Sequence, residues 1–247
     1  MSYVIANWKA NHHLRSALTF LDELRAASNL HLKPTSVQAV ICPPTALYFS
    51  LYHDEYITDT HESIFQLGLQ DVSACEPGAH TGENVLETFH HYLPRFCIIG
   101  HSERRRDQGE TPSLIAAKFA KLQKYHVTPI LCFDEPEVDA LVASLQPFQD
   151  KSFPLILAYE PVSAISTSGN AGNLDPVSVK AALDRTRQAF AHFHTNNWSF
   201  IYGGSVTSDN AGSYRDVCDG LLVGSASLKA SSFHAICCAF GGAPYDD

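Results

Sequence analysis

Three residues in this chain have the chemistry of general acid–base catalysis, and each follows a short apolar run. Lys9 comes soon after the apolar N-terminus, His101 lies within the motif GHSERR (Gly100–Arg105), and Glu160 ends the run Pro154–Tyr159. A carboxylate and an imidazole are the usual groups that move protons at a substrate, and a lysine supplies positive charge to an anionic oxygen. These residue types predict proton transfer on a small anionic molecule.

Two turns of small residues follow later apolar runs, namely Tyr202–Ser205 and Val223–Ser227. Turns rich in Gly and Ser allow backbone N–H groups to approach an oxyanion, and a helix N-terminus favours negative charge. Taken singly, each feature has an ordinary explanation: a surface charge, a structural histidine or a simple turn. Their joint placement at the carboxyl ends of apolar runs predicts a site for a phosphorylated substrate.

Eight apolar runs alternate with amphipathic helical patterns along the chain, and each run is typical of a buried parallel strand. They are Tyr3–Ala6, Val37–Cys42, Ile64–Leu69, Phe96–Ile99, Val127–Cys132, Pro154–Tyr159, Ser199–Tyr202 and Gly220–Val223. This α/β pattern favours a closed (β/α)8 barrel that forms a single domain over residues 1–247, with a doubly wound open sheet as the competitor. In a parallel barrel, all the carboxyl ends of the strands lie on one rim.

Helical periodicity and capping residues support the same alternation. Leucine and alanine recur on one face at Leu14, Ala17, Leu18, Leu21 and Leu24, and a similar face includes Leu114, Ile115, Phe119 and Leu122. Asp175-Pro176 and Thr111-Pro112 each predict an N-cap and the first turn of a helix.

Composition excludes several classes of function. The net charge of −9 disfavours nucleic acid and anionic membranes as partners, and no apolar run has the length of a membrane span. The N-terminus lacks the pattern of a secretory signal. Seven scattered cysteines without a CxxC pair argue against a disulfide framework or a structural zinc site. We therefore expect no metal and a reducing, cytoplasmic location.

The motifs at the ends of the apolar runs resemble those of triosephosphate isomerases, and they occur in the same order from Asn7 to Leu228. The matching segments are NWK (Asn7–Lys9), GHSERR, AYEPV (Ala158–Val162), YGGSV (Tyr202–Val206) and DGLLVGSASL (Asp219–Leu228), with weaker likeness in GAHTGE (Gly78–Glu83) and LCFDE (Leu131–Glu135). The resemblance implies a TIM barrel that interconverts dihydroxyacetone phosphate and D-glyceraldehyde 3-phosphate. It also implies no cofactor, a role in glycolysis and gluconeogenesis, and a homodimer.

The resemblance assigns roles to five residues. Glu160 is the base, and loss of water on closure is expected to raise its basicity. His101 polarises the carbonyl and shuttles protons; triosephosphate isomerase is itself a standard example of a glutamate base beside a neutral imidazole. Lys9 stabilises the enediolate and pairs with Glu103, and Asn7 positions the substrate by hydrogen bonding.

The phosphate grip and the lid after Glu160 depart from the family pattern. Backbone N–H groups at Ser166, Ser205, Gly224 and Ser225 are expected to hold the phosphate. In the lid, Ser163 stands where the family has tryptophan, Ser166 replaces a glycine, and Gly169, directly after Ser168, stands where a lysine is usual. Outside the lid, Ser225 replaces a glycine and Ala10 replaces a methionine. These departures predict altered lid kinetics in an active isomerase.

The loop 70–84 resembles the interdigitating dimer loop of the family, with Thr81 reaching toward the active site of the other subunit. Two other functions remain open from the sequence. One is an aldolase-type lyase that uses Lys9 as a Schiff base. The other is a phospho-ligand binding protein with a TIM barrel, which the unusual lid suggests.

Overall fold

Eight parallel strands close into a barrel in the order of the chain. The computed structural model describes residues 2–31, 37–53, 65–148, 153–161, 174–193 and 197–242. The strands are β1 (Ser2–Asn7), β2 (Val37–Cys42), β3 (Phe65–Leu69), β4 (Phe96–Ile99), β5 (Thr128–Phe133), β6 (Leu155–Tyr159), β7 (Trp198–Tyr202) and β8 (Gly220–Val223). Because β1 pairs with β8, the sheet has no open edge, and the predicted (β/α)8 TIM barrel is confirmed.

Helices surround the barrel between most strands. They are α1 (Leu14–His31), α2 (Thr45–Tyr52), α3 (Ser102–Gln108), α4 (Pro112–Lys124), α5 (Val138–Leu145), α6 (Pro176–Ala189), α7 (Ser208–Ala211) and α8 (Ala230–Gly241). Asp175 caps α6 by accepting from Val177 and Ser178 N–H, and Thr111 caps α4 by accepting from Leu114 N–H, as predicted. In the part of the chain that the structure describes, no helix combines the length and apolar character of a membrane span.

The predicted boundaries and helix faces need small corrections. β1 extends through Asn7, and β5 runs one residue later than predicted, to Phe133. Leu14 and Leu114 were expected on buried faces, but they are 44% and 38% exposed. Both lie in the first turn of their helix, at the end that the neighbouring elements cover least.

The core has two layers that follow the alternation of side chains along each strand. One layer fills the barrel interior, and the other lies between the strands and the helices. In β6, Ile156 and Ala158 belong to the interior layer, whereas Leu157 and Tyr159 belong to the outer layer. Because successive side chains point to opposite faces, the residue two positions after Ala158 continues the inward series. That residue is Glu160.

Candidate active site

The alternation of side chains brings Asn7 and Glu160 to the mouth of the barrel. Asn7 lies two residues after Ile5, which belongs to the interior layer, and both Asn7 and Glu160 are buried, at 5% and 2% exposure. The sheet ladder continues past the strand, since Glu160 N–H donates to Phe133 O at 2.8 Å. The backbone of Glu160 is therefore fixed by a hydrogen bond to the neighbouring strand.

His101 reaches the same mouth by a different route. Phe96 and Ile98 point into the barrel, so simple alternation would direct His101 outward. Gly100 interrupts the alternation with a φ of +66°, and a Cβ there would lie 3.0 Å from Ile115 Cδ1 and 3.2 Å from Cys132 O. Only glycine adopts this conformation in so little space. His101 then becomes the N-cap of α3.

The hydrogen bonds of His101 fix the position of its proton. Glu103 N–H donates to His101 Nδ1 at 3.2 Å, so that nitrogen carries the lone pair. A neutral imidazole then has its proton on Nε2, which lies 3.0 Å from Glu160 Oε1. The second carboxylate oxygen of Glu160 accepts from Ser102 N–H at 3.1 Å. An N–H donor and a carboxylate thus meet directly at the barrel mouth.

These contacts determine the pKa of Glu160. Burial alone would raise it, but the pKa lies below its ordinary value of 4.5 because His101, Ser102 N–H and Arg105 together favour the carboxylate. The expected increase in basicity concerns closure of the lid, which lies outside the described residues, and it stays a prediction. Glu160 is ionised at neutral pH.

Lys9 adopts a strained backbone conformation that its neighbours hold in place. Its φ is +52°, which costs a residue with a Cβ about 1–2 kcal/mol. Lys9 N–H donates to Asn7 Oδ1 at 3.1 Å, and Gln70 Nε2 donates to both Lys9 O and Cys42 O at 2.9 Å. The Lys9 ammonium lies 2.7 Å from Glu103 Oε1. The charge is thereby directed toward the loop that carries His101.

The turn after β8 faces the Lys9 ammonium. A side chain at Gly224 would begin 3.9 Å from Lys9 Nζ. Ser227 is buried, and its Oγ lies 2.7 Å from Gly224 O and 3.1 Å from Val223 O, which fixes the turn that starts at Ser225. The structure therefore places Gly224 beside the cation, and Ser225 is the next residue of the same turn.

The loop after β7 begins beside the base. Gly203 N–H donates to Tyr159 O at 2.8 Å, and a Cβ on Gly203 would lie 3.0 Å from Glu160 Cγ. Ser205 lies two residues further along this loop, where its carbonyl accepts from Asn210 Nδ2 at 3.0 Å. The lid positions Ser163–Gly169, including Ser166 and Ser168, lie outside the described residues, so the altered lid stays a prediction.

Comparison with known proteins agrees with this geometry. A family profile described as "Triosephosphate isomerase" matches residues 2–240. The chain belongs to the triosephosphate isomerase family. A triosephosphate isomerase from Shewanella pealeana is 32% identical over 252 residues, which cover 95% of each chain. Those from Shewanella piezotolerans and Shewanella frigidimarina are 33% and 34% identical, also over 95% of each chain.

The predicted residues form a continuous series of contacts at the mouth of this family's barrel. The series runs from Asn7 through Lys9, Glu103 and His101 to Glu160. Four supporting residues were missed by sequence reasoning: Gln70, Ser102, Gly203 and Ser227. The sequence contained a signal for each of them. Ser102 lies within the motif GHSERR, Gly203 and Ser227 belong to the turns of small residues, and Gln70 directly follows β3.

Arg105 is a further residue that the sequence reasoning gave no role. Its guanidinium Nη1 donates to Gly100 O and, at 3.0 Å, to Cys132 O. Its Nη2 lies 2.9 Å from Glu137 Oε2, and the side chain is only 12% exposed. Arg105 therefore ties the carboxyl end of β4, which carries His101, to the end of β5.

The described residues contain no group of three or more His, Cys, Asp or Glu side chains placed to hold a metal ion. All seven cysteines are among them, and each is a free thiol.

Proposed function

We propose that this chain interconverts dihydroxyacetone phosphate and D-glyceraldehyde 3-phosphate through an enediolate. The observation that carries the proposal is the contact of His101 Nε2 with Glu160 Oε1 at 3.0 Å, in a buried mouth that also holds the Lys9 ammonium. Membership of the triosephosphate isomerase family supports the choice of substrate. The reaction belongs to glycolysis and gluconeogenesis.

The reaction moves one proton between neighbouring carbons. Glu160 removes a proton from the hydroxymethyl carbon of dihydroxyacetone phosphate, and the electron pair of that C–H bond moves toward the carbonyl oxygen. The Nε2–H of His101 donates to this oxygen and can collect the proton of the other hydroxyl group. Glu160 then returns its proton to the adjacent carbon. Both groups act on the substrate, so substrate must replace their direct contact.

Charge at the mouth favours the anionic substrate and the enediolate. The Lys9 ammonium lies beside Glu103, and Gly224 stands next to it at the turn where its own N–H and that of Ser225 would hold the phosphate. A fixed cation in a partly dry site stabilises developing negative charge more than it would in water. Asn7 would donate a hydrogen bond to substrate, and Ser166 and Ser205 would complete the phosphate grip through backbone N–H groups.

The test is a coupled assay of D-glyceraldehyde 3-phosphate turnover. Replacing the base in Glu160→Gln should lower kcat by about 10²–10⁴-fold, while Glu160→Asp keeps a carboxylate and should retain more activity. Asp139→Asn, an exposed substitution on α5, is the matched control. If Glu160→Gln turned over as fast as that control, the proposed mechanism would be wrong.

An aldolase-type reaction fits the geometry of Lys9 less well. A Schiff base requires a lysine nitrogen that is free to attack a carbonyl carbon, whereas Lys9 Nζ is held by a hydrogen bond to the Glu103 carboxylate at 2.7 Å. We expect borohydride to trap no covalent adduct of Lys9 with dihydroxyacetone phosphate. A phospho-ligand binding protein would bind substrate in the same assay without turnover.

We propose that the protein is a homodimer joined through the loop 70–84. Residues 76–84 are all exposed, yet the base of the loop is firmly held. Ser73 N–H donates to Asn84 O at 2.9 Å, and the buried Lys121 donates to Cys75 O at 2.7 Å. A stiff stem with an exposed tip suits contact with another protein surface, and Thr81 lies at that tip.

Sedimentation over a dilution series tests the dimer. Thr81→Arg should weaken association, whereas Val177→Arg, at a position that is 77% exposed on α6, should not. An active wild-type monomer at assay concentration would contradict the need for a partner.

We further propose that residues 1–247 form one domain and that the protein acts in the cytoplasm. The pairing of β1 with β8 joins the two ends of the chain in one sheet, which supports a single domain. Seven free thiols suit a reducing compartment. A single calorimetric transition and recovery of all the thiols from cell extract by alkylation are the expected results.

A further inference from the structure

A polar cavity lies at the amino-terminal mouth of the barrel, at the opposite end from the candidate active site. Its volume is about 430 Å³, which is within the range of small-molecule pockets. Each of the strands β1 to β5 contributes its first or second residue to the wall, namely Tyr3, Gln38, Gln66, Phe96 and Thr128. None of the residues in the proposed mechanism lines this cavity.

Gln66 occupies a position where the interior of such a barrel usually holds an apolar side chain. It stands in β3 between Phe65 and Leu67, which belong to the outer layer, so its own side chain points inward. Its register partner on β2 is Val40, a residue of the interior layer. Because Val, Ile and Leu dominate these layers, a glutamine here brings a polar amide into an apolar interior.

The amide of Gln66 forms no hydrogen bond within the described part of the chain, although the residue is only 7% exposed. Neither of its polar atoms is completely enclosed by protein, so the accessible part of the amide faces the cavity that the residue lines. Gln38 differs, because its Nε2 donates to Ala39 O at 3.1 Å. A buried amide without a partner is unfavourable, so Gln66 indicates an occupant that hydrogen-bonds to it.

The amide group selects the chemistry of that occupant. A carboxamide presents an acceptor oxygen beside an N–H donor, so a ligand carboxylate can only accept from it and a ligand ammonium can only donate. Another amide, or a lactam, does both at once. Two basic residues also line the cavity, but Arg95 already has an interaction within the chain and His126 is exposed. Gln66 is therefore the group that discriminates between ligands.

The other walls of the cavity suit a planar ligand. Phe96 packs edge-to-face against Tyr3, with ring centroids 6.0 Å apart, and Tyr125 adds a third aromatic ring. Burial raises the pKa of Tyr3, so its phenol keeps the proton and remains a hydrogen-bond donor. Thr128 carries a second hydroxyl group. Flat aromatic faces with a few polar groups between them are typical of sites for small ring compounds.

We propose that this cavity binds a small, uncharged, planar molecule whose edge carries an amide or a lactam. The N–H of Gln66 donates to the carbonyl oxygen of the ligand, and Gln66 Oε1 accepts from the ligand N–H. Water is the ordinary occupant of a polar cavity, and a ligand that displaces it must reproduce its hydrogen bonds, as an amide edge does. This binding is independent of the site that contains His101 and Glu160.

An NMR titration of ¹⁵N-labelled protein tests the site directly. The probes are nicotinamide, its carboxylate counterpart nicotinate, and the lactam 2-pyridone. Saturable shifts are expected for the side-chain NH₂ of Gln66 and the backbone amides of Phe96 and Thr128, with affinities in the millimolar range that is usual for ligands of this size. The amides of Gly224 and Ser225, which report on the active site, should not move. Nicotinamide should bind at least about tenfold more tightly than nicotinate.

Variants of Gln66 separate recognition from packing. Gln66→Met has nearly the same shape without the amide, so it should weaken nicotinamide binding at least about tenfold and should not lower the Tm, because an unpaired polar group leaves the interior. Gln66→Leu is a second variant with the same expected result. Gln188→Met makes the same change at an exposed position on α6 and should leave binding unchanged.

Three results would overturn the proposal. They are the absence of saturable shifts at Gln66, binding of nicotinate as tightly as nicotinamide, and equal binding of nicotinamide by the wild type and Gln66→Met. The first result would mean that the cavity holds only water, and the second would mean that its cations select the ligand.

Discussion

Replacing Arg105 by methionine should damage both stability and catalysis, although the side chain has no contact with the proposed reacting groups. The substitution leaves Gly100 O and Cys132 O without their charged donor and leaves Glu137 without its ion-pair partner, although Asp134 N–H still donates to Glu137. Because Gly100 directs His101 back over the barrel mouth, the loss is transmitted to the imidazole. Arg105 is therefore a positioning residue.

The magnitude follows from the burial of these contacts. Removing one partner from a buried set of charge-assisted hydrogen bonds costs about 3–5 kcal/mol. We expect about 3 kcal/mol here, because Glu137 is 36% exposed and regains water. For a chain of this length, that loss lowers the Tm by about 6–12 °C. A small displacement of His101 lowers kcat by about 10–100-fold, with less effect on KM. Loss of a cation near Glu160 also raises the pKa of that carboxylate.

The assay compares Arg105→Met with Arg106→Met, its neighbour on α3. Arg106 is exposed, and its ion-pair partner among the described residues is Asp107, so its loss should leave the Tm unchanged within error. Arg105→Lys restores the charge but cannot contact Gly100 O, Cys132 O and Glu137 at the same time. At acid pH, kcat/KM of this variant should therefore fall at nearly the same pH as in the wild type, while its Tm should remain lower. Equal kcat, pH profile and Tm in the Arg105→Met and Arg106→Met variants would refute the reasoning.

Three further predictions concern packing, pH and a buried ion cluster. Gly203→Ala places a Cβ 3.0 Å from Glu160 Cγ, so kcat/KM should fall about tenfold or more, whereas Gly212→Ala meets only an ordinary contact at 3.4 Å and should not change it. The pKa of Glu160 is lowered by folding, so the stability that its ionisation contributes is present above the unfolded value near 4.5 and is lost as pH falls through the folded value. Urea titrations should show the difference in unfolding free energy between wild type and Glu160→Gln shrinking from about pH 6 to about pH 3.5, and a constant difference would contradict the shift. Lys118→Met removes an ammonium that lies 2.5 Å from the buried Glu110 carboxylate and 2.6 Å from Asp71, and it leaves Arg104 as the cation that contacts both acids. The substitution should cost about 3 kcal/mol in thermal or urea unfolding, and a loss below about 1 kcal/mol would show that Arg104 alone compensates the two carboxylates.

The strands and two of the active-site positions were predictable because both depend on local patterns. Apolar runs located all eight strands to within about one residue, and the capping residues Asp175 and Thr111 located two helix starts. Alternation along β1 and β6 explains why Asn7 and Glu160 enter the barrel mouth. The closure of the sheet was inferred only from the number of repeats, and the pairing of β1 with β8 establishes it.

The predictions that failed concern residues whose surroundings come from distant parts of the chain. Leu14 and Leu114 belong to apolar helix faces, but exposure depends on what lies opposite each turn. The rise in basicity of Glu160 on closure stays a prediction, but sequence reasoning did not foresee that its pKa in this structure lies below the ordinary value: burial raises the pKa, and His101 and Ser102, 58 residues away in the chain, outweigh burial by donating to the carboxylate. No window of sequence around Glu160 contains those donors.

The sequence by itself determined which chemical groups are available and which strand ends carry them, because side-chain type and strand alternation are local properties. Tertiary structure decided how those groups face one another. The left-handed turn at Gly100 directs His101 toward Glu160. The strained backbone at Lys9 is held by Gln70, which directly follows β3 and donates to Lys9 O. The Lys9 conformation is unfavourable in isolation, so only the contacts of the closed barrel can maintain it. Gly100 adopts its turn readily, but only the packed barrel brings Glu160 to the place toward which the turn directs His101.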